Sequence, residues 1–162
     1  MTYRIRNFES RDAEAIAQLT LAAIEAVGAH RYDPEQVAAW AARHPGASRF
    51  LERSDAGHRI FVAVDDGDTP CAYALLEPDG HLDMLYCHPA HTRRGLADRL
   101  LAHSEAEARK AGITRLYTEA SELARPAFER AGYSVQHRRD FEIDHDGRAV
   151  AIHNYAMEKP LD

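Results

Sequence analysis

Apolar and polar positions along this chain follow two periods, and the switches between them mark its elements. Tyr3-Arg4-Ile5-Arg6-Asn7-Phe8 alternates with period two, as a half-buried first strand does. From Asp12 to Val27 the apolar residues Ile16, Leu19, Ala23 and Val27 fall at helical spacing. Asp33-Pro34-Glu35 predicts a second, shorter helix, with an acceptor side chain at the N-cap and Pro at the first helical position. It runs through Val37 and Trp40 to about Arg43. Ile60 to Val64 and Cys71 to Leu76 read as two strands joined by a turn at Asp65-Asp66-Gly67-Asp68. After Pro78-Asp79-Gly80 comes a fourth strand, His81 to Cys87. Between Gly95 and Ala111, Leu96, Leu100, Leu101, Ser104, Ala108 and Ala111 share one helical face. Thr114 to Thr118 is a short strand and Leu123 to Ala131 a short helix closed by Gly132. Tyr133 to Ile143 and Ala149 to Met157 form a last hairpin about Asp146-Gly147.

The order β-α-α-β-β-β-α-β-α-β-β mixes hairpins with one strand-helix-strand crossover over residues 81–118, which is expected to be parallel and right-handed. The expected class is α/β (α+β): a mixed, mostly antiparallel sheet flanked by helices, with one parallel β-α-β crossover. No linker or low-complexity tract divides the chain, so residues 1–162 read as one domain.

Charge and composition narrow the classes of function. With 20 Lys+Arg against 26 Asp+Glu the net charge is −6, which argues against a nucleic-acid or anionic-membrane coat. Two cysteines, Cys71 and Cys87, in no CxxC arrangement make no disulfide framework and suit a reducing cytoplasm. No apolar run reaches membrane-spanning length, and the N-terminus lacks a signal-peptide core. The ten histidines are scattered without ligand spacing, so no metal is expected.

Chemistry concentrates in Leu85-Tyr86-Cys87-His88-Pro89-Ala90-His91-Thr92-Arg93-Arg94-Gly95-Leu96-Ala97. A strand gives way to a loop with two arginines and then to a helix at Gly95. The first turn of a helix leaves N–H groups unpaired at a positive dipole end, a place for an anion such as a pyrophosphate. Neither G-x-x-x-x-G-K-[ST] nor G-x-G-x-x-G is present.

This segment resembles the acetyl-CoA loop of the GCN5-related N-acetyltransferases, [Q/R]-x-x-G-x-[G/A] after V-x-P, here Thr92-Arg93-Arg94-Gly95-Leu96-Ala97 after Cys87-His88-Pro89. Thr92 departs from the pattern's Gln or Arg. Asp83-Met84-Leu85, the Thr-Arg-Arg-Gly loop and Phe128-Glu129-Arg130 resemble the bacterial YafP-like subgroup, as do Tyr32, Pro34-Glu35-Gln36 and Trp40.

The resemblance implies acetyl-CoA as cosubstrate and direct transfer to a primary amine of a small molecule or peptide within a ternary complex. It implies pantetheine pairing along the backbone at Leu85 and Cys87, and pyrophosphate facing the amides of Arg93, Arg94, Gly95, Leu96 and Ala97. Family members carry Asn at the position of Ser121 and an acid Tyr at the position of Phe128. Ser121 retains a hydroxyl for the cofactor. Phe128 cannot donate a proton, which leaves Tyr133 or Tyr155 as candidates and motivates an alternative, a CoA-binding sensor domain.

Period two puts His81, Asp83, Leu85 and Cys87 on one strand face if no bulge intervenes, with Asp83 the first choice for base and His81 the second. A strand N–H near Leu85 would polarise the acetyl carbonyl. An acidic cleft would suit a cationic acceptor. Arg109-Lys110 and Arg138-Arg139 read as solvated faces, and the last hairpin is a candidate homodimer contact.

Overall fold

The structure, a computed structural model, describes residues 2–44 and 46–162; the side chain of Val27 lies outside the described residues. Strands β1 (Arg4–Asn7), β2 (Arg59–Val64), β3 (Pro70–Leu76) and β4 (Leu82–Cys87) form an antiparallel sheet in sequence order. A second antiparallel sheet has the order β5-β7-β6, from β5 (Arg115–Ala120), β6 (Ser134–His145) and β7 (Arg148–Pro160). Helices α1 (Ala13–Gly28), α2 (Pro34–Arg43), α3 (Ala47–Asp55), α4 (Leu96–Lys110) and α5 (Arg125–Arg130) flank them.

Sequence pattern and structure agree closely where the signals are local. Asp33 caps α2: its carboxylate accepts from the Gln36 amide, and the Gln36 side chain reaches back to the Asp33 amide. Leu96, Leu100, Leu101, Ser104 and Ala108 are buried on α4, whereas Ala111 is exposed. α3 was not expected. It starts at Gly46 without a side-chain cap and buries only Phe50, too little apolar repeat to show a period.

β2 lies between two cores, which explains its unbroken apolar run. Phe61 and Ala63 join α4 in one cluster, while Ile60, Val62 and Val64 join Ile16 and Leu19 of α1 and Phe50 of α3 in another. A third cluster joins Ile24, Val37 and Ala39 to Ile143, Val150 and Ile152, seating the long hairpin on α2.

The expected parallel crossover is present but abbreviated. β4 and β5 meet in one parallel bridge, His81 with Tyr117, supported by the Tyr117 amide on the Gly80 carbonyl at 3.1 Å. At the next step the Thr118 hydroxyl, not a backbone amide, bonds the Leu82 carbonyl at 2.7 Å. Beyond it the strands part into the two sheets.

Gly80 makes the junction possible. Its φ is +102°, and a Cβ there would stand 2.2 Å from the Arg115 carbonyl oxygen. Gly80→Ala should therefore cost about 3 kcal/mol through strain and overpacking, lowering Tm by roughly 6–12 °C in a domain of this size. Thermal unfolding of the variant beside the parent checks this.

Candidate active site

Antiparallel pairing decides which groups of β4 face the parting between the sheets. The His88 amide bonds the Cys71 carbonyl at 2.8 Å, and Cys87 and Leu85 stand opposite Ala72 and Ala74. Because hydrogen-bonded and non-hydrogen-bonded pairs alternate, the backbone groups of Leu85 and Cys87 point away from β3, into the parting. Two adjoining cavities occupy it, of about 620 Å³ and about 440 Å³. They share Trp40, Leu85, Tyr86, Ser121 and Ala124 as walls.

The smaller cavity lies at the start of α4. Arg93 (φ +61°) and Gly95 (φ +76°) are both left-handed, and Gly95 ends the loop with no side chain to cap the helix. A residue other than glycine held at positive φ is uncommon and costs free energy, so Arg93 marks a constrained loop. The first-turn amides of α4, which a helix leaves without intrahelical partners, stand at the positive end of its dipole. Leu85, Cys87, Thr92, Arg93, Gly95, Leu96, Ala97 and Ser121 all line this cavity. Arg94 does not; it is exposed. Ser121 Oγ accepts from the Ala124 amide at 3.2 Å. Burial raises the Cys87 thiol to about 11, with the neighbouring Cys71 adding, which leaves it no nucleophile at neutral pH.

The larger cavity holds the charged groups. Asp83 lines it as the extra residue of a bulge, since Leu75 pairs Met84 and Leu76 pairs Leu82. Its carboxylate lies 3.0 Å from the Arg53 guanidinium, which also bonds His58 at 2.7 Å. Glu119 lines the cavity from β5 and takes a 2.7 Å hydrogen bond from His81. Phe128 is a buried wall.

His81 lines neither cavity and does not suit the part of base. Its ring sits between Glu77 at 2.5 Å and Glu119 at 2.7 Å, stacked on Tyr117. Burial opposes its charge, but the hydrogen bonds to Glu119 and Glu77, with their neighbour Asp83, outweigh it and raise the imidazole to about 9. At neutral pH both ring nitrogens carry protons. His81 instead fixes Glu119: its hydrogen bond pulls that carboxyl below the ordinary value against burial, and the charges of His81 and Arg139 add. Glu77, His81 and Asp83 have the reach of a metal triad, yet the Arg53 guanidinium already sits among them.

Tyr133 also requires correction. It lines neither cavity, is 5% exposed, and packs edge-on against Phe128 with ring centroids 5.0 Å apart, its phenol pushed up by burial. Tyr155 is tied to Glu122 through its hydroxyl. Other ionisable side chains stand in the site: Tyr86 and His44, which the sequence reading passed over, and Tyr32, which it singled out. Tyr86 shares both cavities and bonds His44 Nε2 at 3.1 Å, while burial lowers His44 to about 4 and so keeps it neutral. Tyr32 lines the larger cavity, its hydroxyl donating to the His153 carbonyl at 3.2 Å and accepting from the Glu122 amide at 2.9 Å.

Residues 29–147 match the family model described as Acetyltransferase (GNAT) domain. The chain belongs to the GNAT acetyltransferase family. It is 30% identical over 135 residues to an uncharacterized N-acetyltransferase, YafP, of Escherichia coli K12, covering 82% of this chain and 81% of that one. A GCN5-related N-acetyltransferase structure from Rhodopseudomonas palustris superposes with a TM-score of 0.84 at 31% identity, over 99% of this chain and 97% of that one. The yncA structure from Salmonella typhimurium, solved with its cofactor acetyl-CoA, gives 0.74 at 20% identity over 100% and 95%. This GNAT protein is an acetyltransferase whose parted strands open onto both cavities. Among the described residues, no helix is long and apolar enough to cross a membrane.

The His81 clamp has a pH signature. An imidazole raised from 6.5 to about 9 on folding contributes stability that is complete below pH 6.5 and is lost as pH rises through about 9. His81→Gln should remove that fall in stability between pH 6.5 and 9. Denaturant unfolding of both proteins across this range measures it.

Proposed function

We propose that residues 1–162 act as one acetyltransferase domain that moves an acetyl group from acetyl-CoA to the primary amine of a small molecule or peptide, by direct attack in a ternary complex. The observation that carries this reading is the paired arrangement at the parting of β4 and β5. An unpaired strand edge at Leu85 and Cys87 runs up to the anion-ready start of α4, and a second cavity adjoins it across Tyr86 and Ser121. The Salmonella neighbour, solved with acetyl-CoA, supports the choice of cosubstrate.

In this reading the pantetheine pairs with the β4 edge and the pyrophosphate meets the amides from Arg93 to Ala97. An outward amide of β4 near Leu85 polarises the thioester carbonyl. The acceptor arrives as an ammonium, and Asp83 or Glu119 takes its first proton, directly or through one water. The nitrogen then bonds to the acetyl carbon as the C–S bond breaks. Its second proton goes to the departing sulfur or to solvent. The proton donor for sulfur is not Phe128, so thiolate departure rests on the positive start of α4 and on water.

Two measurements test this. Acetyl-CoA at about one hundred times its Kd should raise Tm by roughly 5–11 °C, the equivalent of about 2.7 kcal/mol, while ATP and NAD leave it unchanged. Gly95→Asp, which sets a carboxylate where the pyrophosphate should lie and strains a positive φ, should abolish the shift; a shift retained in full refutes the loop assignment. Glu119→Gln and Asp83→Asn should each lower kcat at neutral pH by about 10²–10⁴-fold if that carboxylate is the base. The variant that keeps the parental pH–rate profile identifies the carboxylate without that role.

A further inference from the structure

The charge of the larger cavity runs against that of the chain. Overall the protein carries −6, yet four arginines, Arg43, Arg49, Arg53 and Arg139, line this cavity against three carboxylates, Asp83, Glu119 and Glu142. Two of those carboxylates are already matched, Asp83 by Arg53 and Glu119 by the His81 imidazolium. Among the described residues, Arg43, Arg49 and Arg139 form no ion pair; the charge of Arg139 reaches Glu119, and Glu142 is the cavity's remaining carboxylate.

Their placement is built into the fold. Arg49 and Arg53 are one turn apart on α3, with Phe50 buried between them. Arg43 closes the last turn of α2 and stands near enough to His44 for its charge to help hold that ring neutral. Arg139 precedes Phe141 and Ile143 at period two on β6. It is therefore on the inward face rather than in solvent, with its guanidinium over the Phe141 ring, 5.4 Å from the centroid, and 3.1 Å from Asn154 Oδ1. Arg139 is half-buried against an aromatic wall, while Arg43 and Arg49 are exposed at the rim of the cavity, and a planar oxyanion answers guanidinium groups that lack a carboxylate in a two-pronged hydrogen bond. The walls themselves are Tyr32, Trp40, Tyr86 and Phe141.

We infer that the acceptor of this acetyltransferase is an amino acid in the chemical sense: a primary amine on an apolar or aromatic body that also carries a carboxylate, which the unpaired arginines Arg43, Arg49 and Arg139 bind. This rests on the reading that the larger cavity holds the acceptor, and it reverses the expectation of a cationic acceptor. The amine end then lies toward Asp83 and Glu119, where proton removal is needed.

The test compares matched acceptors at saturating acetyl-CoA by thiol release: phenylalanine with phenylalaninamide, and 4-(aminomethyl)benzoate with 4-(aminomethyl)benzamide. Phenylalaninamide has the more readily deprotonated amine, so chemistry alone favours it over the acid. The inference expects at least one acid to exceed its amide by tenfold or more in kcat/KM, mainly through KM. In Arg49→Gln and Arg139→Gln, singly and together, the KM of that acid should rise about tenfold or more while that of the amide changes little. Amides equal to or better than acids in both pairs overturn it, as do arginine variants that weaken acid and amide alike. Circular dichroism and the acetyl-CoA melting shift establish that each variant is folded.

Trp40 gives a readout independent of turnover, because it is the chain's single tryptophan and lines this cavity. Its fluorescence should change with the acids at lower concentration than with the amides, and that difference should shrink as salt is raised. Absence of thiol release with every amine, together with no acetyl-CoA melting shift, defeats the enzymatic reading. Preference for neutral amines with the melting shift intact defeats only the inference about the carboxylate.

Discussion

Among the described residues the outer edge of β4 has no partner strand beyond Leu82, and a row of unpaired N–H and C=O groups inside a cleft is costly unless something pairs with it. That constraint organises the molecule. The second sheet would ordinarily have covered the edge, but β5 offers one bridge at Tyr117 and one hydroxyl at Thr118 before turning away with β7. The cleft therefore arises from a sheet interrupted at a fixed residue. Gly80, which lets the turn approach the Arg115 carbonyl, and Phe61 and Leu100, which anchor the first sheet on α4, keep the interruption where it is. A flexible cosubstrate arm of amides is the natural guest for such an edge, since it supplies the missing strand.

Electrostatics follow from the same place. His81 is both the residue that bridges to β5 and the group that pins Glu119, so the bridging residue also sets the charge at the mouth of the larger cavity. Asp83, displaced by the bulge that follows, is held by Arg53 of α3. The carboxylates near the parting are thus ordered by cations rather than left in open repulsion. For Glu119 the partner is the His81 imidazolium, which titrates at about 9, and its hydrogen bond holds the carboxyl below the ordinary value against burial. For Asp83 the partner is a guanidinium 3.0 Å away.

Much of the smaller cavity, where the proposed function seats the cofactor, was legible because it is local in sequence. Strand, Pro loop, two arginines, glycine and helix stand within Leu85 to Leu101, and the structure keeps them contiguous around one cavity. The acceptor side was not legible because its parts come from distant segments. Glu119 reaches His81 across 38 residues, Arg53 reaches Asp83 across the β2–β3 hairpin, and α3 has one buried residue to announce it. Arg139 is the instructive case. The pair Arg138-Arg139 looks like a solvated face when read as a dipeptide, but Arg139, Phe141 and Ile143 keep strand period, so one of the pair had to face inward. Arg138 stays outside with Asp140.

Phe128 then acquires a physical sense. In an apolar pocket closed by Tyr133 it supplies volume and no proton, and Tyr133 behind it is too buried to substitute. A thiolate that forms beside it has no acidic side chain at that wall to quench it. In the proposed reaction it is stabilised by what the sequence does place nearby: the uncapped start of α4 and the left-handed Arg93 and Gly95, with Ser121 lining the same cavity. On the proposed reading such a site discharges its leaving group by field and solvent, so its rate depends less on the pH range of any one donor. On that reading the pH dependence shifts to the larger cavity, where His81 holds the Glu119 carboxyl below its ordinary value, and to the amine itself.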